Sequence, residues 1–374
     1  MKFVLSPDKF KGSLTGIEFC DVVEEGIIAV LPEAEILKLP LADGGDGSIE
    51  VLDYHLHGKR IEVDVEDPLF RPIKASYLFI ESLQTAFIEM AEASGMKLLS
   101  ADEQNCFYTS TYGTGELILD ALKKGAKNII LGIGGSATND CGIGMARALG
   151  FRFFDRDDNE LIAIGKNMSE IVKINTTYTI KNLSQITFKV ASDVTNPLFG
   201  ENGAAYVYAA QKGANTNEIL LLDHGLKNMA GLFKDQFGID IQNTEGAGAA
   251  GGLGAGAMVF LKADLISGIE LIKDLIDFDI KIRNADWMIT GEGKLDLQTL
   301  SGKTIQGVIT SSKKYNIPVA AFCGSVALSQ KELDKMGISY AASIIENAES
   351  LEDSMVNTKD HLKNIASAFA KSID

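Results

Sequence analysis

Cysteine is scarce: Cys20, Cys106, Cys141 and Cys323 are the only four in 374 residues. None stands at CxxC or CxxH spacing, which excludes a zinc finger and a secreted disulfide framework. Histidine is equally scarce, at four. His55 and His57 have no nucleophile or acid at a recognisable spacing, His224 and His361 lie in polar helical stretches, and no GxSxG elbow occurs, so a serine-histidine-acid triad is excluded. No apolar run approaches the ~20 residues of a membrane span. The apolar start of "MKFVLSPDKF" is too short for a signal peptide and stops at Ser-Pro-Asp, so a cytoplasmic protein is expected. Positive charge is also in deficit, with 35 Lys and Arg against 51 Asp and Glu and a formal charge of −16. That field disfavours nucleic acid and anionic membranes. A few local lysines and backbone N–H groups still suffice for a small anion. The expected partner is therefore a small molecule, and the sequence is compatible with a monomer or a homo-oligomer.

What the chain has is length and glycine. Its 374 residues suit two domains at roughly 100–200 residues each. The 37 glycines are about 10% of the chain, against ~7% in average proteins, and they cluster. "KFVLSPD" reads as a strand. "LTGIEFCDVVEEGIIAVLPE" carries apolar residues at helical spacing, with Ser13 or Thr15 as its cap and Leu31-Pro32 as its end. "AEILKLPLADGGDG" is a strand and a glycine turn, and "SIEVLDYHLHG" a helix. This strand–helix alternation signals a parallel sheet. The pattern then changes: alternation at Ile61, Val63 and Val65, and at Ile73, Ala75, Tyr77 and Phe79, predicts antiparallel strands about the turn "EDPLFRP". A helix is expected over 139–149 and a long amphipathic one over 257–278. The end of the chain returns to strand, glycine turn and helix. The expected organisation is a discontinuous α/β domain of residues 1–60 plus 286–374, with a mixed α/β domain of residues 61–285 inserted.

Five loops share one design, an apolar strand followed by small or acidic residues: 6–13, 42–47, 132–136, 191–197 and 290–299. Parallel sheets bind ligands at the carboxyl ends of their strands. Glycine admits close approach, helix-start N–H groups hold anions, and Asp or Asn can serve Mg²⁺. Each loop read singly is also an ordinary turn. Lys9 and Lys11 flank Phe10 in an otherwise acidic chain, either as solvated side chains or as a carboxylate or phosphate clamp; Lys294 and Lys303 pose the same choice. "SGKT" at 301–304 is not a Walker A loop, since Leu297 stands where that motif needs glycine. "GAGAAG" at 246–251 fits GxGxxG, but a weak strand precedes it, and close helix packing explains it as well as a ligand does. Asp140 either caps the following helix or touches a metal.

Seven stretches in order, "SPDKFKGSLT", "PLADGGDGS", "TSTYGTGELILDAL", "GIGGSATNDCGIGMARALG", "ASDVTNPLFGENGAA", "GAGAAGGLGAG" and "DWMITGEGKLDLQTLSGKTIQGV", resemble the successive motifs of the bacterial glycerate kinases. Cys141 stands where that pattern has Gly, Lys294 where it has Arg, and Ile305-Gln306 where Pro is common; no acid or loop glycine is lost. The resemblance implies ATP-dependent phosphorylation of D-glycerate to 2-phosphoglycerate in organic-acid catabolism. It also implies a flavodoxin-like domain from both chain ends, an inserted α/β domain, and an active site in the cleft between them. For the site it implies ATP phosphates at Gly134, Gly135, Ser136, Gly251, Gly252 and Gly254. Mg²⁺ falls to Asp193 and Asp43, and the hydroxyl proton to Asp193 or Asp296. Lys9, Lys11 and Ser13 orient the glycerate carboxylate or the transferring phosphoryl, while Asp8, Asp43, Gly44, Gly45, Glu292, Gln298 and Lys303 contact substrate. Phosphorylation at the 3-hydroxyl, a nicotinamide-dependent oxidoreductase using "GAGAAG", and a non-catalytic hydroxy-acid-binding protein are the rival readings.

Overall fold

The computed structural model describes residues 1–10, 13–45, 47–181, 183–296 and 303–373; Lys11 and Gln298 lie outside them, as does the side chain of Lys303. The strands of the two main sheets are, in chain order, β1 (Lys2–Leu5), β2 (Glu35–Lys38), β3 (Lys59–Glu66), β4 (Pro72–Ile80), β5 (Thr85–Glu89), β6 (Asn128–Gly132), β7 (Thr187–Ala191), β8 (Asp264–Ile266), β9 (Trp287–Thr290), β10 (Val319–Cys323) and β11 (Tyr340–Ser343). The chain is α/β, as the strand–helix alternation predicts, and divides into two compact units.

The first unit comprises Met1–Asp43, Glu50–His55 and Ile269–Asp374. Its sheet is wholly parallel in the order β11-β10-β9-β1-β2. A parallel sheet is covered on both faces, so its central strands need no polar alternation; "VAAFC" of β10 is buried at every residue. Phe3, Leu5 and Phe322 share one core with Phe19, Val23 and Ile27 of the helix Gly16–Ile28 and with Leu362, Ile365 and Phe369 of the helix Thr358–Ile373. Thr15, not Ser13, caps the first helix: its Oγ1 accepts from Glu18 N at 3.1 Å while Glu18 Oε2 accepts from Thr15 N at 3.0 Å. Counted along this unit, the strand order is 2-1-3-4-5, the flavodoxin-like arrangement, and its winding reverses between β1 and β9.

The second unit comprises Gly44–Ile49 and Leu56–Gly268. Its sheet runs β8-β7-β6-β5-β4-β3. The expected hairpin is present, with β3 and β4 in register from Lys59 opposite Phe79 to Glu66 opposite Pro72. Asp67 Oδ1 holds the turn by accepting from Leu69 N at 2.8 Å and Arg71 N at 2.9 Å. From β5 to β8 the strands are parallel.

Three expectations differ from the structure. The 257–278 segment is not one helix: it leaves a π-turn at Ala257–Leu261 through Lys262, whose φ of 55° is left-handed, and forms β8 before the helix Gly268–Leu275. The helix expected over 139–149 spans Ile143–Ala148. Residues 269–285 group with the first unit rather than the second, and residues 44–49 and 56–60 with the second rather than the first. Ile269 packs on Gly307, and Asp279 accepts from Ser311 Oγ at 2.5 Å and Lys314 Nζ at 2.7 Å. Among the described residues no helix is long and apolar enough to cross a membrane.

All four cysteines are buried and unpaired. Burial pushes the Cys106 thiol up to about 11 and that of Cys323 to about 12, and raises Cys20 and Cys141 well above the usual thiol range. Cys141 also takes a left-handed backbone (φ 53°), which accounts for glycine in the pattern at that position.

Asp140 settles as a capping residue. It is fully buried and acts only as an acceptor: Oδ2 takes Thr111 N and Thr111 Oγ1 at 2.8 Å and Gly144 N at 3.2 Å, while Oδ1 takes Gly142 N at 3.1 Å. Burial raises its carboxyl above the ordinary range, and these donors oppose the rise. Asp140→Asn turns an amide donor toward that ring of donors and is expected to destabilise the second unit by about 2 kcal/mol. Chemical denaturation followed by circular dichroism measures it; an unchanged midpoint would remove Asp140 from the framework.

Candidate functional site

In the first unit the winding reverses at the carboxyl ends of β1 and β9, the place where such sheets bind ligands. The two loops are laced together: Ser6 N donates to Ile289 O at 2.7 Å, Asp8 N to Gly291 O at 3.0 Å, and Thr290 Oγ1 to Ser6 O at 2.8 Å. Asp8 sits at the seam. Its Oδ1 accepts from Lys9 N at 2.7 Å and its Oδ2 from Thr304 Oγ1 at 2.6 Å. Burial holds the Asp8 carboxyl above its usual range; Thr304 and the Lys9 N–H pull it down, and the negative charge of Asp43 adds to the rise. Thr304, on the helix Lys303–Lys314, is 2% exposed and had no signal beyond its place in "SGKT". Lys9, Glu292 and Asp296 are part-buried near the same strand ends, and Asp296 pairs with Lys294 at 2.8 Å. Ser13 N donates to Phe10 O at 3.0 Å just before the first helix.

In the second unit Gly44, Gly132 and Ala191, one residue from each of three glycine-and-acid loops, come together near the carboxyl ends of β6 to β8. Gly44, at φ +85°, lies so close to Ala191 and Gly268 that a Cβ would sit 2.7 Å from Ala191 Cβ and 3.0 Å from Gly268 Cα. Gly132 is matched to it, since a Cβ there would be 2.7 Å from Gly44 O. A cavity of about 340 Å³ opens at this edge, lined by Gly44, Gly45, Glu89, Ala91, Met96, Lys97, Gly132, Gly134 and Gly135. Gly134 and Gly135 are exposed, and Ser136 behind them is buried. Among the described residues no acceptor takes the N–H of Gly134, Gly135 or Ser136. Consecutive main-chain donors left open in a loop that glycine keeps free of side chains form a concavity for an anion.

Four lining residues were missed by the sequence reading, the apolar Ala91 and Met96 and the charged Glu89 and Lys97. Glu89 ends the apolar strand "TAFIE", is 8% exposed, and accepts from Ile49 N at 3.2 Å. An acid closing a buried strand is the signal that could have found it. Lys97 stands on a short 3₁₀ turn in ion pair with Glu92 and had no such signal. Asp193 follows β7, where Ser192 N donates to Ile266 O at 3.0 Å, and is part-buried. Asp43 is exposed and groups with the first unit.

Gly251, Gly252 and Gly254 lie inside the segment Ala249–Gly256 and are buried. A Cβ on Gly251 would come within 2.2 Å of Thr138 O, one on Gly252 within 3.1 Å of Cys141 Cα, and one on Gly254 within 2.3 Å of Gly246 O. Gly251 and Gly252 thus let one backbone lie on the 138–142 segment that continues the Gly134–Ser136 loop, and Gly254 lies on the backbone of Gly246 and Ala247. Among the described residues no group of three acidic, histidine or cysteine side chains converges to cage a metal.

The Glycerate kinase family matches residues 3–374 of the chain. A glycerate kinase of Halalkalibacterium halodurans is 41% identical over 98% of this chain and 97% of its own length. The glycerate 2-kinase of Escherichia coli is 38% identical over 99% of this chain and 98% of its own. The crystal structure assigned to glycerate kinase 2 of Salmonella typhimurium LT2 superposes with a TM-score of 0.90 at 38% identity, covering 100% of this chain and 98% of that one. With its parallel flavodoxin-like sheet, its glycine-walled strand-end cavity and full-length likeness at this level, the chain belongs to the glycerate kinase family, a family of kinases for which ATP is the co-substrate.

Proposed function

We propose that the protein phosphorylates D-glycerate with ATP in the cytoplasm and releases 2-phosphoglycerate as a step of organic-acid catabolism. The observation that carries this reading is the open main-chain loop Gly134–Ser136 beside the 340 Å³ cavity, in a chain matched by the family from residue 3 to 374. Phosphoryl transfer asks a protein for alignment and charge neutralisation rather than covalent chemistry. The N–H groups of Gly134, Gly135 and Ser136, together with those of Gly251, Gly252 and Gly254, hold phosphate oxygens. Lys9, Lys11 and Ser13 orient the glycerate carboxylate, and Asp8, Asp43, Gly44, Gly45, Glu292, Gln298 and Lys303 complete the substrate contacts. Asp193 or Asp296 takes the hydroxyl proton.

Mg²⁺ keeps several waters and needs only one or two carboxylates beside phosphate oxygens. The single carboxylates Asp193 and Asp43 fit that demand, whereas among the described residues no three acidic, histidine or cysteine side chains converge into an all-protein cage. The ion, when bound, neutralises phosphate charge.

Asp193→Asn is expected to lower kcat about a hundredfold or more with the circular dichroism spectrum unchanged; wild-type kcat with Mg-ATP and glycerate would remove the metal and base roles of Asp193. Lys9→Ala is expected to lower kcat/KM for glycerate about tenfold, roughly 1.4 kcal/mol of transition-state binding, and an unchanged value would take Lys9 out of the site. Phosphorus NMR of the product is expected to place the phosphate on the 2-hydroxyl; a signal from 3-phosphoglycerate would reverse the regiochemistry while keeping the kinase. Stabilisation by nicotinamide dinucleotide without ADP release would favour the oxidoreductase, and glycerate binding without turnover would favour a binding protein.

A further inference from the structure

Behind the Gly134–Ser136 loop lies a lysine that the reaction scheme has not used. Lys212 ends the short turn Ala210–Lys212 and is 5% exposed. Its Nζ donates to Ser136 Oγ at 2.5 Å and to Thr138 O at 2.8 Å. Its own carbonyl accepts from Cys106 N at 3.0 Å, which fixes the root of the side chain. Thr138 Oγ1 and both amide atoms of Asn139 are buried without a hydrogen-bond partner among the described residues. The near end of this segment is thus held by Lys212, and its far end by Asp140. Burying an ammonium costs several kcal/mol even after relaxation, so a carbon side chain of similar volume would serve a purely packing role at lower cost.

The hydrogen-bond directions say what the charge does. A lysine ammonium only donates, so Ser136 Oγ gives it a lone pair and keeps its own proton. Among the described residues no acceptor takes that proton. We propose that Lys212 is a positioning residue for the nucleotide: it sets the rotamer of Ser136 and polarises the hydroxyl, so that Ser136 O–H donates to a phosphate oxygen held by the Gly134–Ser136 main chain. The assignment rests on the kinase reading above. Burial lowers the Lys212 ammonium to about 8; the groups bearing on it electrostatically, Cys106 and Asp140, oppose the fall. The lysine is charged below that pH and neutral above it.

The test is steady-state kinetics with Mg-ATP and D-glycerate on wild type, Lys212→Met, Ser136→Ala, the double variant and Lys212→Arg, with melting curves for each. Both single variants are expected to lose about tenfold or more in kcat/KM for ATP, with KM for glycerate little changed. The double variant should be no worse than the weaker single, because Lys212 acts through Ser136. Lys212→Arg should recover part of the loss. In wild type kcat/KM for ATP should fall as pH rises through about 8, and Ser136→Ala should lack that limb. Losses that multiply in the double variant, a folded Lys212→Met with unchanged kcat/KM for ATP, or a pH limb retained in Ser136→Ala would each overturn the assignment. If Lys212→Met does not fold, Ser136→Ala and the wild-type pH limb decide alone. Wild type that releases no ADP from glycerate overturns the kinase reading and this assignment with it; active wild type beside unaffected variants overturns the assignment only.

Discussion

The second unit depends on how one turn, residues 134–142, is held from behind by two buried charges. Lys212 grips it through Ser136 Oγ and Thr138 O, and Asp140 closes it through four donors from Thr111, Gly142 and Gly144. Neither side chain faces solvent, so water cannot replace these bonds when one is lost. The turn can therefore present exposed glycines on its front without collapsing. Gly134 and Gly135 lie at the exposed front, and the rear of the loop carries the buried hydrogen bonds. That division suits a site for a polyanion, where main-chain donors have to be in place before the ligand arrives.

The first unit solves its problem with topology. A parallel sheet whose winding reverses between β1 and β9 leaves two strand ends without a crossing connection between them. The loops there are tied by three hydrogen bonds among residues 6–8 and 289–291. Asp8 is then seated between Lys9 N and Thr304 Oγ1, partly desolvated, with its acidity reduced.

Much of this was legible in the sequence because periodicity and turn chemistry are local. The alternation at Ile61, Val63 and Val65 became β3, and Thr15, one of the two expected caps, caps the first helix. The loops were visible as glycine clusters. What stayed hidden depends on contacts between residues far apart in the chain. Glu89 meets Ile49, and Lys212 meets Ser136 across 76 positions, with no local pattern announcing either. The 257–278 stretch misled because its apolar spacing suits a helix, while the left-handed turn at Lys262 and the pairing of β8 with β7 override it. "GAGAAG" was ambiguous for a related reason: glycine permits a ligand's approach and another backbone's approach equally, and here Gly248 lies against the backbone of Asn196 and Pro197 and Gly251 against that of Thr138 and Asn139.

The four buried thiols have a practical side. Each is solvent-shielded and held in its protonated form at neutral pH, and it is the thiolate that reacts. The native fold therefore offers a quiet background to maleimide and iodoacetamide reagents. A single cysteine introduced on an exposed surface would carry a fluorophore or spin label alone, without first stripping out the natural four. Reagent uptake by the unaltered protein would in turn count the molecules that have opened, which makes its own cysteines a clock for unfolding.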